Sequence, residues 1–141
     1  MIALKNNKTE FRLEITGYEF PSIPDGWDAN WLIVKINARD AEKAIDIEKC
    51  DSCILTQEIV NLYKWFSKIS GGEVEKDTIE FMEADFAFSY REGLLGVYLR
   101  YFLDPMEKRE EIYTASFEMN HDMVQVLLQE IGKVVQKFPE R

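Results

Sequence analysis

The sequence predicts an α+β fold in a single domain over residues 1–141. The expected architecture is a mainly antiparallel twisted sheet of six to seven strands with two helices, in the order β-β-β-α-β-β-β-α. Three observations predict it. Several stretches alternate apolar with polar residues and are rich in β-branched and aromatic side chains. Two stretches repeat apolar residues at helical spacing. The strand candidates follow one another through short turns, which favours antiparallel neighbours over alternating βαβ units. A length of 141 residues suits one domain, and 46% hydrophobic with 30% charged residues suits a compact globular one.

Glu10 to Thr16 sets Phe11, Leu13 and Ile15 against Glu10, Arg12 and Glu14, the pattern of a half-buried strand. Gly17 to Asn30 is rich in Pro, Gly, Ser, Asp and Asn and reads as a long ordered loop. Trp31 to Ala38 is apolar on both faces at its start, as in a central strand, and Arg39-Asp40 forms a short connection. Glu42 to Cys50 alternates again and pairs with the preceding strand as an antiparallel hairpin.

The first helix runs from Thr56 to Ser70. Thr56 is its expected N-cap, Glu58 lies in its first turn, and Ile59, Leu62, Tyr63, Phe66 and Ile69 form its buried stripe. Gly71-Gly72 ends it, because the residue past a helix C-terminus often needs the left-handed conformation that glycine adopts freely. Three strands follow: Thr78 to Ala84, extending through Phe86, Phe88 and Tyr90; Leu94 to Leu103, apolar on both faces and therefore central; and Glu110 to Met119. Arg91-Glu92-Gly93 and Asp104-Pro105-Met106 are the turns. Asn120 caps the last helix, with Asp122 in its first turn. Met123, Val124, Leu127, Leu128, Ile131, Val134, Val135 and Phe138 make its apolar stripe, expected to pack on the sheet.

Charge narrows the function. The chain has 26 acidic and 17 basic residues, a formal net charge of −9. An acidic surplus repels phosphate, so direct binding to nucleic acid or an anionic membrane is disfavoured and a basic partner is favoured. More than half of the surplus falls between Gly71 and Asp85, where Glu73, Glu75, Asp77, Glu80, Glu83 and Asp85 face a single base, Lys76. These six acids are the candidate partner-binding residues. A solvated face is the commoner meaning of such a run, and an interface for a basic protein is the functional one. The N-terminus lacks an apolar core of signal-peptide length, and two cysteines are too few for a disulfide framework, so a reducing cytoplasm is expected.

Other constellations are weaker. Cys50-Asp51-Ser52-Cys53 has CxxC spacing, the signature of a small thiol oxidoreductase, but it lies among consecutive antiparallel strands and Asp51 disfavours a thiolate. A zinc site needs further ligands, and the single His121 has no His or Cys partner at ligand spacing. No Ser or Cys near His121 suggests a nucleophile pair, and no glycine-rich phosphate loop is present. No catalytic residue, cofactor or metal is expected. Phe86, Phe88, Tyr98, Tyr101 and Tyr113 lie at strand spacing and read as core. A small-ligand or oligomerisation domain remains the third class that a curved, aromatic sheet permits.

Gly17-Tyr18-Glu19-Phe20-Pro21 followed by Asp28-Ala29-Asn30-Trp31-Leu32, and then Cys53-Ile54-Leu55-Thr56 with Glu58, Leu62 and Trp65-Phe66, resembles the WapI-type family of bacterial immunity proteins. The likeness covers roughly residues 11 to 70, with only a matching layout beyond, and Trp27 stands where a tyrosine is expected. The motif residues Gly17, Tyr18, Phe20, Pro21, Asp28, Asn30 and Trp31 read as structural: Gly17 for a tight turn, Pro21 for a fixed φ, Asp28 and Asn30 for Asx-type turns, and Trp31 as the anchor of the strand. The resemblance implies a non-enzymatic cytoplasmic protein that binds and neutralises the C-terminal domain, often a nuclease, of a polymorphic contact-dependent toxin. It carries over no toxin-contact residue. A nuclease tends to be basic, so the implied partner and the acidic charge agree.

Overall fold

The computed structural model describes residues 1–104, 106 and 109–141 and, of these, the side chains of all but 102–104 and 109. The α+β class holds, but two four-stranded antiparallel sheets stand where one sheet was expected. The first consists of β1 (Ile2–Lys5), β2 (Thr9–Tyr18), β3 (Trp31–Asp40) and β4 (Ile45–Leu55), side by side in that order. Helix α1 (Thr56–Ser70) leads to the second, made of β5 (Lys76–Glu80), β6 (Phe86–Arg91), β7 (Leu94–Asp104) and β8 (Arg109–Glu118), again in chain order, and α2 (His121–Lys137) follows.

The extra strands have local causes. β1 has only four residues, pairs with β2 and alternates, burying Ile2 and Leu4 and exposing Ala3 and Lys5. The expected strand from Thr78 through Tyr90 is two strands folded on each other, with Glu80 opposite Ala87. Phe81 sits in the turn between them but points into the core, its ring 4.9 Å from Phe86 and 6.4 Å from Phe88. A buried aromatic in a turn continues the alternation that a single strand would show.

Arg39 and Asp40 belong to β3 and are not the connection. The hairpin turns one step later, where Asp40 Oδ1 accepts the N–H groups of Glu42 and Lys43 and Ala44 takes φ +53°. β4 runs on to Leu55 because Cys53 is an extra residue bulged between Ser52, opposite Ile33, and Ile54, opposite Leu32. Thr16 bulges from β2 at the same level of β3, between Ile15 and Gly17. After its bulge β4 buries Cys53, Ile54 and Leu55 in succession, which plain alternation would forbid.

Helix α1 has the expected bounds. Its N-cap is Leu55, whose N–H donates to Glu58 Oε2 at 2.9 Å, while Thr56 is the first helical residue. Trp65 replaces Tyr63 in the buried stripe, and Tyr63 is 40% exposed. Gly72 takes the left-handed φ of +71° just beyond the helix. Asn120 caps α2 by accepting the Met123 N–H at 2.9 Å. Instead of lying on a sheet, α2 packs chiefly against α1 and touches β1.

The inner faces of both sheets and the apolar faces of both helices form one continuous core. Phe88 of β6 stands at its centre, edge-on to Phe11 of β2 at 6.0 Å and to Phe66 of α1 at 6.3 Å. β7 is flanked by β6 and β8, as expected, although its outward side is uncovered. The Arg91 to Gly93 turn is a two-residue hairpin with positive φ at Glu92 and Gly93. The turn expected at Asp104-Pro105-Met106 falls partly outside the described residues.

Candidate functional site

The acidic segment leaves Gly72, forms the edge strand β5 and turns through Phe81 to Asp85 into β6. Its six acids divide into two groups. Asp77 Oδ2 accepts the indole N–H of Trp65 at 3.0 Å, tying β5 to α1. Asp85 is ion-paired with Lys49 of β4, and its carbonyl accepts the Arg100 N–H at 2.7 Å, so it joins the two sheets. Glu73, Glu75, Glu80 and Glu83 are exposed and have no ion pair among the described residues.

Glu58 also shapes this segment. While one carboxylate oxygen holds the start of α1, the other accepts the Met82 N–H at 2.6 Å and fixes the acidic turn. The sequence marks Glu58 only as an acid in a helix first turn, because its second partner lies 24 residues on.

The residues of the loop motif perform a different task from the turns expected of them. Gly17 lies within β2 and has no positive φ; Gly26, at φ +90°, supplies it. Asp28 opens a short 3-10 turn over Asp28–Asn30. Asn30 is buried and uses its amide fully: Nδ2 donates to the carbonyls of Gly26 (2.8 Å) and Arg141 (2.9 Å), and Oδ1 accepts from Thr56 Oγ1 (3.0 Å) and the Arg141 N–H (2.8 Å). The Arg141 guanidinium lies 3.7 Å from the Tyr18 ring centroid and donates to the carbonyls of Phe20, Pro21 and Ala29. Tyr18 donates to the Pro139 carbonyl at 2.6 Å and meets Phe138 edge-on at 5.4 Å. Trp31 meets Trp27 edge-on at 6.1 Å. The motif is a dock for residues 138–141.

Cys50 is exposed and Cys53 is buried. Burial first, then the nearby Asp51 charge, pushes the Cys53 thiol up to about 12, the reverse of the lowered thiol pKa that redox exchange requires. His121 is exposed at the first residue of α2. Among the described residues no group of His, Cys, Asp or Glu is placed to hold a metal ion.

Two further perturbed groups face each other between the sheets. Tyr113 of β8 donates to Asp40 Oδ2 at 2.9 Å. Burial, aided by the Asp40 contact, raises Tyr113 to about 12, and the backbone N–H of Lys43 leads the interactions that lower Asp40. Both shifts lock the groups in their ordinary protonation states near neutrality, so neither is poised as an acid or base.

The space beneath α2, lined by Ile2, Leu13, Ile59, Leu62 and Ile131, amounts to about 10 Å³, too little for a ligand. Larger spaces are open grooves, one of about 420 Å³ along β4 beside Tyr101 and one of about 340 Å³ at the acidic turn beside Tyr98. No helix among the described residues is long and apolar enough to cross a membrane. The model of the Immunity protein WapI-like family matches residues 1–139. No curated protein and no solved structure matches the chain.

Proposed function

The chain belongs to the WapI-like immunity protein family, and from that premise we propose that it binds and neutralises the toxic C-terminal domain of a polymorphic contact-dependent toxin, without catalysis of its own. The family match over residues 1–139 carries the reading. Charge supports it from another direction. A toxin domain that attacks nucleic acid binds phosphate and tends to be basic, and an inhibitor with a net charge of −9 is drawn to such a surface from a distance. Glu73, Glu75, Glu80 and Glu83 extend outward without internal partners among the described residues, and they supply the nearest part of that field. Inhibition takes place in the cytoplasm, where a nuclease meets its substrate.

The test is to express the C-terminal toxin domain encoded by the neighbouring gene, with and without this chain, in a sensitive host. Growth restored by the chain, together with a stable purified complex, is the expected result. A chain that neither protects nor binds overturns the reading. Protection from a purified domain that by itself cleaves neither RNA nor DNA would remove the nuclease part alone.

A further inference from the structure

The two sheets turn very different faces outward. On the first, charges of opposite sign are paired across strands, Lys35 with Glu48 and Arg39 with Asp46, each at 3.5 Å. Such a face is at ease in water. On the second, large apolar side chains stand uncovered: Tyr98 of β7 is 54% exposed, Ile112 of β8 56% and Met82 of the acidic turn 62%. Arg100 is opposite Ile112, and Tyr98 is opposite Thr114, which makes Tyr98 and Ile112 diagonal neighbours on one face. Met82, Tyr98, Arg100 and Ile112 line the same groove of about 340 Å³, and Glu80 closes its β5 side.

Among the described residues the charges around this groove are unbalanced. Arg100 is held by Glu110 at 2.7 Å and Asp85 by Lys49, so those cancel within the fold. Glu80 and the neighbouring Glu83 have no cation among the described residues. An open tyrosine ring that shares a groove with the uncancelled Glu80 carboxylate is complementary to a guanidinium or ammonium group, through the ring face and through the carboxylate together. Exposed aromatic and aliphatic anchors with a charged rim are the usual anatomy of a protein interface.

We propose that the outward face of the second sheet, centred on Tyr98, Met82 and Ile112, seats a basic segment of the toxin domain, with an arginine or lysine of that segment placed between the Tyr98 ring and Glu80. The proposal rests on the reading of the chain as an immunity protein, and it moves the centre of the interface from the acidic strip to the sheet beside it. The strip steers; the sheet face binds.

The experiment measures affinity of the full chain for the toxin domain of the neighbouring gene by calorimetry. Tyr98→Ala and, separately, Ile112→Lys are expected to weaken binding about 30-fold or more. Lys35→Ala and Glu48→Ala, on the paired face, are expected to change it less than about 2-fold. Far-UV circular dichroism and urea midpoints monitor folding, and the two face variants guard each other against a folding defect. If the unmodified chain binds and both face variants bind equally well, the surface assignment is overturned while the immunity reading stands. If the unmodified chain does not bind, the immunity reading fails and takes this one with it. Sedimentation of the chain alone supplies a further outcome: a dimer that Ile112→Lys abolishes would assign the face to a second copy and overturn the proposal.

Discussion

Asn30 and Arg141 exchange two backbone-to-amide hydrogen bonds, of 2.8 and 2.9 Å, across 111 residues of sequence. The Asn30 amide is thereby satisfied at every donor and acceptor position, which a buried amide requires. Asn30→Ala removes four hydrogen bonds and strands the Thr56 hydroxyl, only 3% exposed, so a loss of about 3 kcal/mol is expected from urea unfolding. Arg141→Ala, which keeps the main-chain bonds, is expected to cost less and to make the loop before Trp31 more open to protease.

Alkaline pH is expected to unfold the chain in two overlapping stages. Folded Cys53 keeps its proton to about pH 12, against 9.0 ordinarily, and folded Tyr113 to about 12, against 10.0. In each window the folded state binds the extra proton, so stability is full below the ordinary pKa and falls as pH rises. Urea midpoints should decline from pH 9 and more steeply above pH 10. Cys53→Ala should flatten the first part of that decline and Tyr113→Phe the second.

Two turn residues are miscast for their backbone. Ala44 and Glu92 have φ of +53° and +48°, a region that costs a residue with a Cβ about 1 kcal/mol. Ala44→Gly and Glu92→Asn should each raise stability by about 0.5 kcal/mol, read as a higher thermal midpoint.

Charge reversal of the acidic segment should separate its two groups of acids. Glu73→Lys with Glu75→Lys should slow association with the toxin domain about tenfold at low salt, an effect that fades as salt is added. An unchanged rate would remove the segment from the encounter. Asp77→Lys should instead lower stability, because it takes the acceptor from the buried Trp65 indole.

The pattern of local residues made much of the fold legible. Helix α1 is bounded by Thr56 and Gly71 in sequence and structure alike, and the Asn120 cap is where the sequence places it. What stayed hidden depends on distant partners. The division into two sheets, with α1 between them in the chain, is not encoded by alternation within strands. Tyr98 shares the strand spacing of the buried Phe88 and Tyr113, and only the absence of a covering layer leaves it exposed. Likewise Asp77 and Glu80 look alike in sequence, and Trp65, twelve positions away, is what draws Asp77 into the fold.

Every strand pairing in both sheets joins neighbours in the chain. No pairing has to wait for a distant segment to arrive, so the loop-closure entropy charged before each hairpin forms is small, and both meanders can assemble quickly and side by side. The step expected to be slow is the meeting of the two halves around Phe88, and the Asn30 and Arg141 contact, which joins positions 111 apart, is expected to close after it. Substitutions at Phe88 should therefore retard folding itself, whereas substitutions at Asn30 should mainly hasten unfolding.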